Sequence, residues 1–199
     1  MSKAKEERNL VVGLDIGTSK IVAMVAEAKP EGYEVIGMGT HPSKGLKKGV
    51  VVNIEATVSA IQRALEEAEL MADCKIAEVY TGIAGSHIKS LNSRGMVPIK
   101  DREVSQQDVE RVIETAKAIP IPTDQQVLHI LNQEFIVDGQ GDVRVPLGMS
   151  GVRLEVNVHI VTGAVSAAQN IVKCVRRCGL EVRDLILQPL ASAIAVLSE

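Results

Sequence analysis

Two short runs rich in valine and isoleucine, residues 10–16 and 21–27, lie on either side of a turn that contains a glycine. Apolar runs of this length, bounded by turn residues, are typical of neighbouring strands that are buried in a sheet. The Lys-Pro-Glu-Gly sequence at 29–32 favours a second turn, and residues 33–39 resume an extended pattern. The start of the chain therefore predicts an antiparallel meander of three strands, which limits the fold to architectures built on a sheet.

A helix and a further strand are predicted after the meander. The lysine- and glycine-rich residues 45–49 favour a loop, and Asn53 is a candidate N-cap. An apolar stripe that repeats every three or four residues follows it, which predicts a long amphipathic helix (Val58, Ile61, Leu65 and Ala68). Residues 77–84 are again apolar and predict a strand.

The last part of the chain continues this alternation. Ser166 and Gln169 form a candidate capping box for a helix that ends at Gly179. Residues 181–188 then predict a strand, and residues 189–197 predict a final helix. Strands and helices in this order are typical of an α/β protein whose helices pack on a sheet.

Residues 85–164 differ in character from the segments before and after them. Ser105 and Asp108 form a second candidate capping box, which predicts a helix between proline-containing loops. Residues 127–138 and 152–161 predict long strands, and the second of these alternates apolar and polar side chains. We interpret this segment as an inserted ββ/α unit with one sheet face open to water. The predicted division of the chain is therefore 1–84, 85–164 and 165–199.

Composition excludes several classes of function. With a net charge of -3 and 2% aromatic residues, the chain offers neither a basic surface nor stacking platforms for nucleic acid. Its longest apolar run is too short to span a bilayer, and its charged N-terminus does not resemble a signal peptide. Three cysteines (Cys74, Cys174 and Cys178) have no spacing typical of a disulfide framework or a metal site. We therefore expect a cytoplasmic protein.

The sequence Gly-Leu-Asp-Ile-Gly-Thr-Ser-Lys at 13–20 carries the strongest chemical signal. It crosses the turn between the first two predicted strands, where backbone N–H groups can face a ligand and a glycine permits close approach. Two hydroxyls and an ammonium group add donors for phosphate, and a carboxylate at a strand end can hold Mg²⁺ through water. The residues are Gly17, Thr18, Ser19 and Lys20 for phosphate and Asp15 for the metal.

The alternative interpretation of this segment is a hairpin turn whose Asp and Gly serve backbone geometry alone. Two other phosphate motifs are excluded by spacing. The segment lacks the Gly-x-x-x-x-Gly-Lys pattern of a P-loop, and Gly37-Met38-Gly39 lacks the third glycine and the helix of a dinucleotide-binding fingerprint.

Three segments make the sequence resemble the FtsA family of bacterial cell-division proteins, and the similarity extends over essentially the whole chain. They are residues 11–20, residues 45–51 and residues 178–182. The resemblance implies an actin-like fold, in which a ribonuclease H-like α/β subdomain, 1A, is interrupted by a small α+β subdomain, 1C. Residues 85–164 lie where 1C is inserted in that family.

The resemblance also assigns roles to single residues. Asp15 to Lys20 match the first phosphate loop, which places Lys20 near the β-phosphate of ATP and Asp15 near Mg²⁺. Residues 188–192 resemble a connecting segment in which a Glu or Gln helps to position metal or attacking water, and this nominates Gln188 as a catalytic residue.

The second phosphate loop and the adenosine motif of the family are not found among the 199 residues. We therefore expect this chain to be a piece of a longer protein that lacks the second lobe. Half of a nucleotide site implies that the chain binds ATP weakly or not at all and is inactive. The full-length protein is expected to be at most a weak ATPase.

For the full-length protein the resemblance implies a scaffold on the cytoplasmic side of the membrane at the division site. It would form filaments with itself, tether FtsZ through the second lobe, and recruit the cytoplasmic tails of division proteins such as FtsN through residues 85–164. The alternatives are a PilM-like pilus-assembly ATP-binding protein and a sugar-kinase-like phosphotransferase. Lys47-Lys48 and the place of the insertion argue against both, and no carboxylate has the context of a kinase base.

Overall fold

The computed structural model describes residues 8–197, in which the chain forms two units. Unit 1 contains the described residues up to His87 and those from Val165 onward, and unit 2 contains Ile88–Ala164. Unit 2 thus begins at Ile88, whereas the sequence indicated a boundary at Gly85. Each unit has its own sheet.

Unit 1 begins with the three-stranded meander, as predicted from the sequence. The strands are β1 (Leu10–Ile16), β2 (Lys20–Lys29) and β3 (Gly32–Pro42). Both β1 with β2 and β2 with β3 pair in antiparallel fashion. Alternate side chains are buried because successive residues of a strand point to opposite faces (Leu14, Ile16, Ile21, Ala23 and Val25).

A short hairpin and a long helix lead from the meander to the next strand. Where the sequence indicated only a loop, β4 (Leu46–Lys47) pairs with β5 (Val50–Val51). Helix α1 (Ile54–Ala72) begins as predicted at Asn53, whose Oδ1 accepts a hydrogen bond from the Ala56 N–H at 3.0 Å. The strand β6 (Glu78–Ile83) then pairs in parallel with β1.

Helix α1 lies directly on β3 because two glycines of that strand leave room for the helix backbone. A Cβ atom at Gly37 would lie 2.7 Å from the carbonyl oxygen of Ala68. The helix also covers the outer edge of β3, at the end of the sheet. The N–H of Met38 donates to Sδ of Met71 at 3.4 Å, and the N–H of Thr40 donates to Oε2 of Glu67 at 2.7 Å.

Unit 2 is a four-stranded antiparallel sheet with one helix on it. Its elements are β7 (Lys89–Pro98), α2 (Gln106–Lys117), β8 (Gln125–Val137), β9 (Gln140–Val143) and β10 (Arg153–Ala164), and the sheet order is β7-β10-β8-β9. The predicted capping box is confirmed, since Ser105 Oγ accepts from the Asp108 N–H and Asp108 Oδ2 accepts from the Ser105 N–H. The helix packs on apolar side chains of β10 (Leu154, Val156, Val158 and Ile160).

Two details of the predicted ββ/α unit are wrong. The unit has four strands, whereas two were predicted. The sequence did not indicate β7 and β9 because they carry little apolar pattern. The face of β10 opposite α2 is also less open to water than expected, because Glu155 is only 1% exposed between Arg94 and Arg153. Val152 precedes the strand and is 62% exposed, so it does not join the core.

Three elements return the chain to unit 1: α3 (Val165–Arg177), β11 (Glu181–Leu187) and α4 (Gln188–Val196). The predicted Ser166 capping box is wrong, because α3 begins at Val165 directly after β10 and Ser166 lies inside the helix. β11 pairs in parallel with β6, giving the sheet order β11-β6-β1-β2-β3. Among the helices of residues 8–197, none is both long and apolar enough to cross a bilayer.

We predict that Gly39→Ala destabilises the chain, because the new Cβ would lie 1.9 Å from the Ala64 carbonyl oxygen and 2.7 Å from the Ala68 nitrogen. Both atoms belong to the backbone of α1, so the helix must move away, and overpacking of this kind costs about 1–3 kcal/mol. The free energy of unfolding in urea measures this loss. Gly13→Ala is the control, since a Cβ there has no neighbour within 4 Å. Equal losses in the two variants would contradict the close packing of α1.

Candidate functional site

The candidate site is a cavity in unit 1 at the carboxyl ends of the parallel strands β1, β6 and β11. Ligands commonly bind at this end of the strands in α/β proteins. The cavity has a volume of about 530 Å³. Its lining residues are apolar apart from Asp15, Lys20, Tyr80, Thr81, Gln188 and Ser192.

The turn between β1 and β2 lies beside this cavity and is closed by its own backbone. The N–H of Gly17 donates to the carbonyl of Lys20 at 3.1 Å. A Cβ atom at Gly17 would lie 2.7 Å from that same carbonyl oxygen, so only glycine fits here. Thr18, Ser19 and Lys20 are exposed at the tip. The turn therefore presents two hydroxyl groups and an ammonium group to solvent.

Neighbouring segments of unit 1 fix this turn in place. The N–H of Gly49 donates to Thr18 Oγ1 at 3.1 Å, and the N–H of Ser43 donates to the carbonyl of Ser19 at 3.0 Å. Gly49 lies in the two-residue turn of the β4–β5 hairpin, where Lys48 and Gly49 have φ of 52° and 80°. Two positive φ values are typical of a type I′ turn, which glycine favours. The lysine- and glycine-rich segment thus supports the turn beside the cavity.

Asp15 is the acidic side chain of the cavity. Burial raises the pKa of this carboxyl, while the positive charge of Lys20 acts to lower it. The side-chain amide of Gln188 donates from Nε2 to Oδ1 of Asp15. One oxygen of the carboxylate therefore accepts a hydrogen bond from the neutral amide of Gln188. The positive charge of Lys20 is close enough to affect the pKa of the carboxyl group.

The structure brings only some of the predicted site residues together. Asp15, Lys20 and Gln188 line one cavity although Gln188 is distant from the other two in sequence. Gln188 is the first residue of α4 and not the end of a strand. Gly17, Thr18 and Ser19 form the adjacent turn and are not part of the cavity wall.

Sequence reasoning missed other residues of this cavity. Tyr80, Thr81 and Gly82 of β6 lie in its wall, as does Ser192 of α4. The Oγ1 of Thr81 donates to the carbonyl of Leu14 at 3.1 Å and so ties β6 to β1. No local pattern distinguishes these residues from others in a strand, although the position of β6 beside β1 would have indicated them.

The side chains of the cavity and of the adjacent turn are of the types that bind a nucleotide phosphate together with Mg²⁺. Lys20 and the hydroxyls of the turn are donors for phosphate oxygens, and Asp15 is a hard oxygen ligand. Within residues 8–197 no cluster of three His, Cys, Asp or Glu side chains could hold a metal ion alone. A single carboxylate nevertheless suits Mg²⁺, which is usually bound by one or two carboxylates together with substrate phosphates and water.

The fold and the site together define the class of protein. The chain has an actin-like α/β fold with an inserted small α+β unit. It is similar to the solved PilM-PilN type IV pilus biogenesis complex, with a TM-score of 0.63 and 19% identity. That match covers 92% of this chain and 49% of the other chain, and at this identity it shows the fold alone.

Sequence comparison identifies the family within this class. Residues 85–162 match the model described as the SHS2 domain inserted in FTSA. Cell division protein FtsA of Pseudomonas aeruginosa is 63% identical over 96% of this chain and 46% of its own length. FtsA of Neisseria meningitidis is 54% identical over 98% of this chain and 47% of its own length. FtsA of Escherichia coli K12 is 48% identical over 97% and 46% of the two lengths.

The chain belongs to the FtsA family of cell-division proteins. It spans about half the length of the curated relatives it matches.

We predict that Asp15→Asn raises the melting temperature of the chain at pH 7 in the absence of ligand. Because the folded pKa of Asp15 lies above its usual value of 3.8, the folded chain binds the proton more tightly than the unfolded chain. The wild type therefore gains stability relative to the variant as the pH falls through the raised pKa towards 3.8, and loses it as the pH rises.

Thermal melts from pH 7 down to pH 4 measure this difference. Glu31→Gln is the control, because it neutralises an exposed carboxylate in the turn between β2 and β3. A melting temperature that Asp15→Asn lowers at pH 7 would contradict the prediction that burial makes the charged carboxylate unfavourable.

Proposed function

We propose that this chain supplies the first phosphate-binding part of an ATP-binding, actin-like cell-division scaffold. The observation that carries the proposal is the meeting of Asp15, Lys20 and Gln188 in one cavity beside the Gly17 turn. Among the described residues, Lys20 has no side-chain ion pair, so its charge is available for a phosphate. In this proposal Asp15 would hold a water molecule of bound Mg²⁺.

Each residue of the site has a separate task in this proposal. The Lys20 ammonium binds and orients the β-phosphate, and Thr18 and Ser19 offer hydroxyl donors at the tip of the turn. Gly17 allows a phosphate oxygen to approach the backbone. Bound Mg²⁺ would supply positive charge that offsets the phosphates. The adenosine contacts are assigned to the part of the protein that lies beyond this chain.

The chemistry of the cavity supports a scaffold more than a phosphotransferase. A kinase needs a carboxylate that faces its acceptor substrate as a general base. Asp15 is the single carboxylate in the wall of the cavity as described for residues 8–197, and its Oδ1 already accepts from Gln188. We propose that nucleotide binding serves assembly of the protein into filaments, with hydrolysis slow.

The likeness to FtsA proteins supports a wider role for the full-length protein. We propose that the full-length protein acts at the cytoplasmic side of the membrane at the division site and tethers FtsZ filaments through its second lobe. Unit 1 would then control assembly by its nucleotide state. A PilM-like role in pilus assembly has only the likeness of fold in its favour.

We predict that Lys20→Ala weakens binding of Mg²⁺-ATP by the full-length protein. A charge-assisted hydrogen bond contributes about 2 kcal/mol, so affinity should fall roughly 30-fold. Calorimetry on the full-length protein measures the change. Lys29→Ala is the matched control, because it removes the same charge at the other end of β2.

Unchanged ATP affinity in Lys20→Ala, together with a large loss of stability, would make the turn structural and would refute the proposal. By itself, the 199-residue chain should bind ATP with a dissociation constant well above the micromolar range.

A second part of the proposal concerns unit 2 as a site for peptide partners. We propose that it binds short cytoplasmic tails of division membrane proteins such as FtsN. The strand β7 is at the edge of its sheet, so within residues 8–197 no strand pairs with its outer backbone groups. An extended peptide can add to such an edge as a further strand.

A groove beside β7 and α2 supports this location. It has a volume of about 700 Å³ and is lined by Val97 of β7 and by side chains of α2, among them Gln107, Glu110 and Glu114. Helix α2 comes very close to the strand, since a Cβ at Gly95 would lie 2.2 Å from the carbonyl oxygen of Val112. A peptide added to the edge could therefore place alternate side chains in the groove.

We predict that labelled tails bind the 199-residue chain, and that replacing residues 85–164 by a short linker abolishes binding. Gln107→Arg places a long charged side chain in the groove and should weaken binding at least tenfold. Gln106→Arg is the control on the same helix, because Gln106 is not part of the groove wall. Fluorescence anisotropy measures binding, and circular dichroism checks folding. A folded deletion variant that binds tails equally well would refute unit 2 as the recognition site.

A further inference from the structure

Gln188 reaches Asp15 across an intervening strand. β6 lies between β1 and β11 in the sheet, so the ends of β1 and β11 are separated by two strand spacings, or about 10 Å. The amide of Gln188 nevertheless donates to Oδ1 of Asp15. Its side chain must therefore extend over the cavity face of β6.

Gly82 is the residue of β6 that lies beneath this side chain. The register pairs Gly82 with Ile186 of β11, two residues before Gln188. On the other side, Leu14 of β1 pairs with Thr81, so Asp15 and Gly82 are the next residues of their strands.

A side chain at Gly82 could not coexist with Gln188 in this position. A Cβ atom there would lie 2.6 Å from Cγ, 3.0 Å from Nε2 and 3.2 Å from Cδ of Gln188. The first contact is far inside van der Waals separation, and the neighbour is a flexible side chain. An alanine would therefore be accommodated by displacing Gln188, which would break its contact with Asp15.

The backbone gives no other reason for glycine at this position. Gly82 is not among the glycines with positive φ, so any residue could adopt its conformation. Glycine within a strand weakens the strand and often marks a close approach by another group. The neighbouring residues Thr81 and Ile83 are buried on the opposite face, while Gly82 faces the cavity.

We propose that Gly82 is a positioning residue, which leaves room for Gln188 to cross β6 and hold the Asp15 carboxylate at the end of β1. Gln188 then holds the Asp15 carboxylate, because its amide nitrogen donates a hydrogen bond to it. The remaining oxygen of Asp15 is then left for a ligand in the cavity that this residue lines. For nucleotide affinity this inference rests on the proposed function, whereas the Gly82–Gln188–Asp15 arrangement is independent of it.

The arrangement itself can be tested without nucleotide, by NMR of side-chain amide groups in the 199-residue chain. The Gln188 NH₂ signals are assigned by their loss in Gln188→Ala. Asp15→Ala should shift them because it removes the acceptor, and Gly82→Ala should shift them in the same direction. Gly13→Ala adds a methyl group to the same cavity wall in open space and should leave them unchanged. Gln188 signals at wild-type positions in Gly82→Ala would overturn the proposal.

If Gly82→Ala folds poorly, the melting temperatures of the single and double variants test the arrangement instead. Gln188→Ala removes the atoms that would clash, so the double variant should melt at a higher temperature than Gly82→Ala alone. A double variant that is less stable than either single variant would overturn the proposal, because the methyl group would then clash with something other than Gln188.

The functional consequence is tested by Mg²⁺-ATP titration of the full-length protein. Gln188→Ala and Gly82→Ala should each weaken binding about tenfold, as expected for loss of a hydrogen bond to a charged group. The double variant should be no weaker than either single variant, because both act on one contact. Additive losses would overturn the proposal. A wild-type protein that binds no ATP would refute the proposed function, and the NMR result would still decide the arrangement.

Discussion

The candidate site depends on the parallel pairing of β6 with β1 on one side and with β11 on the other. Parallel strands need a long connection between them, and helical crossovers usually supply it. Here the chain reaches β6 through α1 and reaches β11 through α3, so the carboxyl ends of three strands lie at the same edge. A buried hydrogen bond from Thr81 to the carbonyl of Leu14 secures the first of these pairings. Residues from distant parts of the sequence meet there for this reason.

The sequence predicted the elements of unit 1 well because their signals are local and strong. In the valine-rich runs and the capped amphipathic helix, the spacing of apolar residues in the sequence matches the spacing of buried positions in the fold. The strand β7 had no such signal, since only Gly95 and Val97 of its residues are buried. An edge strand with polar side chains and a glycine under a helix cannot be distinguished from a loop by hydrophobic pattern. The misplaced cap at Ser166 arose because β10 continues directly into α3, so the extended residue before the helix is Ala164, whose methyl side chain cannot accept the hydrogen bond of a cap.

The site was predictable only where its residues are neighbours in sequence. Asp15 to Lys20 form one turn, and its glycine and hydroxyl groups indicate phosphate chemistry directly. Gln188 came from family resemblance, and its contact with Asp15 depends on the pairing of β11 with β6. Gly82 could not have been found at all, because the reason for glycine there is the side chain that lies above it.

The outer edge of β3 affects how molecules of this kind behave when they are crowded together. Exposed strand edges are templates on which other chains can pair without regard to sequence. Met71 and Glu67 of α1 occupy two N–H groups of this edge, at Met38 and Thr40. Many copies can therefore be concentrated on a surface with less risk that their sheets fuse into amorphous aggregates. A contact of another molecule with this edge would have to use side chains, whose shape and charge mutation can change.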